Sequence, residues 1–332
     1  MIPLRDIAPS RNYPVVTITI IAVNVTLFLF QLTLGPNLQR FIYFYGLVPA
    51  RYSVAHIAEY FSGGQQIFAL FSFMFLHGGF IHLIGNMWSL YIFGDNVEDQ
   101  LGHLRYLLFY LLCGLFSGVS HLLLNWHSNV PTIGASGAIA GVMGAYIVVF
   151  PNARILTLIP ILIFPWFVEI KALYFLGFWF VMQFFNATLA HGGASGVAWW
   201  AHVGGFVCGA ILLKFFRGLP AAGVSDRLRP LTTRRKTSRF QMLHPRDGVQ
   251  GGDTCSTITI SPLEAIAGTH KLVNVPAGFY NRMVRVTVPP GIKSGQKLRL
   301  KGLGQPLPQG GRGDLFLEVV VSEWNLGPTL RR

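Results

Sequence analysis

The stretch "GASGAIAGVMG", residues 134–144, sets a serine hydroxyl among small residues at the head of an apolar run. A buried hydroxyl is costly without a partner, so Ser136 either packs or reacts. The composition around it defines the solvent. Of 332 residues, 52% are hydrophobic and 12% charged, and the mean hydropathy is +0.49, a balance that excludes an ordinary soluble domain. Charge is unevenly spread, with nets of +1, +7 and +5 over residues 1–213, 214–239 and 240–332, against a total of +13. The chain is therefore read as a membrane block at 1–216, a basic cytoplasmic linker at 217–240 and a polar domain at 241–332.

A membrane-spanning helix needs roughly 20 mainly apolar residues. Six stretches qualify as candidates, near 14–34, 79–94, 104–125, 136–151, 167–188 and 195–216. The second and fourth are short, which leaves room for water above helices that start inside the bilayer. The first is long, lacks a small-residue cleavage site and precedes further spans, so it is expected to be a retained anchor. Arg5, Arg11, Arg105, Arg154 and the basic run after the sixth stretch fall on one side, while two of the opposite connections carry no Lys or Arg. The positive-inside rule then puts both termini in the cytoplasm. Cys113, Cys208 and Cys255 fit no metal spacing and are expected as thiols. No cofactor and no metal is expected.

In a membrane helix, small residues usually serve close packing. Gly134, Gly137, Gly141 and Gly144 beside Ser136, and Gly205 and Gly209 on the sixth stretch, can all be read that way. The segment "WWAHVGGFVCGA", 199–210, adds His202, and an imidazole in lipid is expensive unless partnered. Two small-faced helices can approach until Ser136 and His202 hydrogen-bond, the arrangement in which a base activates a weak nucleophile. In "FLHGGFIHLIGNMWSLYIFGD", 75–95, His82 and Asn86 stand four apart and share a helix face. They form either an interhelical clasp or, with the Ser136 backbone N–H, a set of donors for an oxyanion. His77 is read as a structural hydrogen-bonding residue. His56, His103, His121, His127 and His191 are placed in loops or at span ends, and the zinc-protease His-Glu-x-x-His is absent.

"GASG", "AHVGG" and "HLIGN" resemble, in order and placement, the motifs of rhomboid intramembrane serine proteases, and "GDNVEDQLGHLRYLLFYLLCG", 94–114, with Glu98, resembles that family's turn between second and third spans. The resemblance covers about residues 1–216. It implies an all-α polytopic bundle of six transmembrane helices in a prokaryotic plasma membrane, opening to the outer side, which cleaves transmembrane protein substrates. Ser136 would be the nucleophile, His202 the base, and His82, Asn86 and the Ser136 amide the oxyanion hole. With no carboxylate at that depth, the site reads as a dyad. Many members carry an aromatic residue one turn after the serine, stacked on the histidine. Here that position is Ala140, which leaves ring orientation to another side chain. The aromatic face of the fifth span, with Phe175, Phe178, Trp179, Phe184 and Phe185, is either a route for substrate or simply a lipid-facing surface.

The basic linker lacks interleaved aromatics and is read as a topology signal beside the lipid bilayer rather than a nucleic-acid site. Beyond it, "TCSTITI", "HKLVNV", "RMVRVTV", "QKLRL" and "DLFLEVVV" alternate apolar and polar residues between Gly and Pro turns, the pattern of a small β domain. "ISPLEAIAGTHKLVNVP", "VTVPPGIKSGQKLRLKGLGQP" and "GGRGDLFLEVVV" resemble the carboxy-terminal substrate-binding sandwich of DnaJ co-chaperones. That implies a small C-terminal β-sandwich, which would bind unfolded peptide or a chaperone by strand addition or fold as an inert tail; the sequence departs from the family in having a single sandwich subdomain and no Cys-x-x-Cys zinc module. "HPRD", 244–247, matches the J-domain tripeptide only superficially. Two functions remain in play: an active intramembrane protease with a client-binding appendage, or a catalytically weak membrane quality-control protein on the same fold.

Overall fold

The computed structural model describes residues 1–8, 10–161, 164–189, 198–218, 232, 237, 240–243, 246–247, 252–277, 280–307 and 311–322. It divides into two compact units, Met1–Thr233 and Arg234–Arg332. Most of the basic linker, His191 and the first half of "HPRD" lie outside the described residues.

In the first unit the long helices are α1 (Val15–Thr33), α6 (Phe80–Leu101), α7 (His103–Leu124), α8 (Ser136–Val149), α9 (Ala172–Leu189) and α10 (Trp199–Gly218), with short helices α2 (Leu38–Tyr45), α3 (Ala50–Ser53), α4 (Ala55–Ala58) and α5 (Gly63–Ser72) between α1 and α6. Four of these, α1, α7, α9 and α10, are long and apolar enough to cross a membrane, and a fifth span arises if the pair Gly63–Phe75 and Phe80–Leu101, bent by 82°, counts as one. At 14 residues, α8 reaches only about 21 Å against a hydrocarbon core of roughly 30 Å. It is the central helix: every residue from Gly137 to Tyr146 is buried, and α6, α7, α9 and α10 surround it. Outward-facing Ile18, Leu29, Ile84, Leu108, Phe185 and Ile211 remain exposed, as suits helices solvated by lipid.

Sequence expectation and structure differ at three places. The second stretch is not short: α6 has 22 residues, because it continues past Phe93 through Asp95, Glu98 and Asp99, charges that end an apolar run without ending a helix. Glu98 is buried, accepting from the Val16 and Thr17 N–H groups and the Thr17 hydroxyl, so it caps the first turn of α1 while pairing with His103. The fifth helix begins at Ala172 rather than 167, and the membrane block is not all-α. Strands β1 (Ile2–Asp6), β2 (Arg154–Ile161) and β3 (Phe164–Lys171) form an antiparallel sheet in that order. Within the segment between α1 and α6, Arg51 is wholly buried, its guanidinium 3.7 Å from the Phe61 ring centroid and donating to the Phe44 carbonyl, a cation–π seat.

The second unit is β-rich. Strands β5 (Arg246–Asp247), β6 (Thr254–Ile260), β10 (Leu315–Val321) and β9 (Lys297–Leu300) form one sheet in that order, and β4 (Phe240–Met242), β7 (Thr269–Ala277) and β8 (Tyr280–Val288) another. The five alternating runs fall within β6 to β10. Ile258, Ile260, Leu315 and Leu317 of one sheet share a buried cluster with Val273, Val275, Val286 and Val288 of the other. A short helix, α11 (Pro262–Ala267), is closed by a capping box of Ser261 and Glu264.

Candidate active site

Ser136 opens α8 after a loop pinned on both sides. Leu47 and Thr132 exchange backbone hydrogen bonds, the Gly134 N–H donates to the Phe73 carbonyl, and the Thr132 hydroxyl meets His121 Nε2 at 2.8 Å. Gly134 has φ +130°, and a Cβ there would lie 2.8 Å from His82 Nε2. Only glycine meets both demands, so the chain turns into α8 directly against the His82 ring.

The α8–α10 seam sets the depth of the serine. A Cβ on Gly205 would overlap the Gly137 carbonyl, one on Gly209 the Gly141 carbonyl, and one on Gly144 the Phe206 carbonyl. Backbone rests on backbone. At this spacing the Ser136 Oγ lies 2.7 Å from His202 Nε2, and His202 is only 9% exposed. A neutral imidazole with a free Nε2 lone pair can take the hydroxyl proton there. His82 lies against the backbone of Gly134, and Asn86 follows it by one turn along α6. Asn86 is buried and its Nδ2 has no partner among the described residues, an unspent donor of the kind that calls for an explanation.

The sequence reading left the orientation of the histidine open, and α9 supplies it. His202 Nδ1 lies 2.8 Å from Gln183 Oε1, and the Trp179 ring, one turn earlier, sits 6.0 Å from the imidazole centroid. Gln183 was the residue that sequence reasoning passed over. The available signal was an amide deep in "FWFVMQFF", as expensive in lipid as a histidine. The α9 aromatics divide: Phe175 is buried and Trp179 packs on the core, whereas Phe178, Phe184 and Phe185 are exposed.

Among the described residues neither ring nitrogen of His77 has a hydrogen-bond partner. Its backbone N–H and carbonyl are held by Gln31, while the buried imidazole stacks edge-on against His82 with centroids 5.2 Å apart. Among the described residues no group of three or more His, Cys, Asp or Glu could hold a metal ion.

Residues 64–218 match the family model of the Rhomboid domain, and residues 239–322 that of the DnaJ C terminal domain. The chain is 40% identical over 82 residues to the mitochondrial RHOMBOID-like protein 6 of Arabidopsis thaliana, covering 25% of this chain and 26% of that protein. It is 29% identical over 156 residues to RHOMBOID-like protein 4 of the same plant, covering 45% and 34%. A DnAJ-like protein of Synechocystis sp. is 42% identical over 79 residues, covering 24% and 23%. The matched segments thus span between 23% and 34% of these relatives' own lengths. With its apolar helices of spanning length, the chain is an integral, multi-pass membrane protein in which a segment matching the Rhomboid domain, 64–218, precedes one matching the DnaJ C terminal domain, 239–322.

Proposed function

We propose that this protein is an intramembrane serine endopeptidase that hydrolyses peptide bonds in or near transmembrane segments of membrane proteins. The observation that carries the proposal is the partly buried 2.7 Å hydrogen bond between Ser136 Oγ and His202 Nε2 within a rhomboid domain. Ser136 attacks the scissile carbonyl as His202 Nε2 takes its proton. The tetrahedral oxyanion is met by His82, Asn86 and the Ser136 N–H. His202 then protonates the leaving amine, and water, activated by the same imidazole, cleaves the acyl-enzyme. The bundle is read as six spans, with α8 as a short fourth span that leaves a wet cavity above Ser136 on the outer side and with both termini cytoplasmic. Substrate reaches the site past α9 and must unwind locally, since a helical peptide bond is shielded by its own hydrogen bonds.

The domain limits proposed are 1–216, 217–240 and 241–332. The two sheets of the last are read as a sandwich that takes extended client peptide by strand addition. The test is cleavage of a single-span substrate by the full chain in liposomes. Wild type should cut, and Ser136→Ala and His202→Ala should not. Absence of cleavage by folded wild type over several substrates would move the reading to a membrane-embedded binding protein.

A further inference from the structure

We infer that Gln183 is the positioning residue of this site, a neutral third member that fixes which nitrogen of His202 carries the proton. The inference rests on the protease reading above and deepens it. A Ser–His pair works only if the imidazole presents an unprotonated Nε2 to the serine. A ring carrying its proton on Nε2 would donate to Ser136 Oγ and could not accept from it. In serine hydrolases that choice is commonly made by a carboxylate on Nδ1. Here the group at Nδ1 is an amide oxygen, Gln183 Oε1, at 2.8 Å. It accepts the Nδ1–H, holds the proton on that side, and leaves the Nε2 lone pair along the 2.7 Å line to Ser136.

Burial makes the choice stick. Gln183 is 7% exposed and His202 9%, so no bulk water competes for Nδ1, and an amide does this work without the desolvation cost of a buried carboxylate. Trp179 stands one turn before Gln183 on the same helix face and flanks the same ring, 6.0 Å away and tilted by 37°. Both contacts come from α9. The base is therefore set in place by the docking of α9 rather than by α8, whose corresponding position is Ala140.

Two measurements on the full-length protein test this. The first is 15N spectroscopy of His-labelled protein in lipid nanodiscs, with the His202 signals assigned by their loss in His202→Ala. Wild type should show the Nδ1–H tautomer. Gln183→Met, which keeps length and volume but has no strong acceptor, should show a mixture or the Nε2–H form, and Gln183→Glu should restore the wild-type pattern. The second is turnover, where Gln183→Met should lower kcat about 10- to 100-fold with KM within about twofold, as expected when an orienting partner of a working imidazole is lost. A wild-type Nε2–H tautomer, or a Gln183→Met protein with unchanged tautomer and kcat, overturns the inference. The tautomer is read without turnover, so a failure of the protease reading and a failure of the Gln183 assignment give different results.

Discussion

Replacing Gly205 by alanine adds one methyl group at the point where α10 rests on α8. The new carbon would overlap the Gly137 carbonyl oxygen, which is backbone and cannot rotate away. The helix axes must part by about 1 Å before ordinary contact distance is regained. His202 lies three residues before Gly205 and Ser136 one before Gly137, so the parting falls almost undiminished on their hydrogen bond. Its 2.7 Å length would stretch beyond the roughly 3.0 Å limit for O–H hydrogen bonds. A misplacement of this size costs about 100-fold in kcat, and the overpacking itself about 1–3 kcal/mol. The matched control is Gly177→Ala on α9, where a Cβ meets nothing within 4 Å. That change should leave kcat untouched and add up to about 1 kcal/mol of helix propensity. Cleavage rates in liposomes, paired with thermal midpoints, separate the two effects. A folded Gly205→Ala protein turning over within about threefold of wild type would refute the idea that the glycine seam sets the catalytic distance.

Three further outcomes are expected. Burial raises the Asp6 carboxyl from 3.8 to about 6. With the folded value above the unfolded one, its stabilisation is whole below about pH 4 and lost as pH rises through 6. Asp6→Asn, which keeps an acceptor for the Tyr146 hydroxyl, should remove up to about 3 kcal/mol of pH-dependence between pH 4 and 7, read as the difference in thermal midpoint profiles. Lys271 and Glu264 form a buried ion pair at 2.6 Å. Lys271→Met leaves the Glu264 carboxylate without its counter-charge, its remaining hydrogen bonds coming from Ser261 and Thr237, and should destabilise the β unit by about 3–5 kcal/mol, measured as loss of its protease resistance. Alanine at the exposed Phe178, Phe184 and Phe185 should alter cleavage of a membrane-embedded substrate while leaving the thermal midpoint in place. Unchanged turnover would remove α9 as the access route.

Much of this was legible because chemistry in a membrane is sparse. Ser136, His202, His82 and Asn86 stood out as polar groups in apolar runs, and the structure brings Ser136 and His202 into hydrogen-bond contact. Gln183 carried the same signal and was missed because the search for a third group looked for charge. Between Arg154 and Glu169 the run reads apolar apart from Thr157, and only pairing over distance marks it as a hairpin: Arg154 opposite Lys171 and Leu158 opposite Phe167. Such register has no local signature in a fully apolar strand. The C-terminal strands, by contrast, alternate inward and outward residues, as in the buried Ile258 and Ile260 of β6 flanking the outward Thr259, so their period is visible residue by residue.

The sheet that joins Ile2–Asp6 to Arg154–Ile161 has a consequence in time. A ribosome adds roughly 5–20 residues per second, so the first strand waits on the order of 10–30 s for a partner that emerges some 150 residues later. Until then β1 is a lone edge in a nascent chain whose next helices are already entering the bilayer. Closure of the sheet, with Tyr146 reaching Asp6, is thus a late event, one that cannot happen until α8, with Ser136 at its head, has been made.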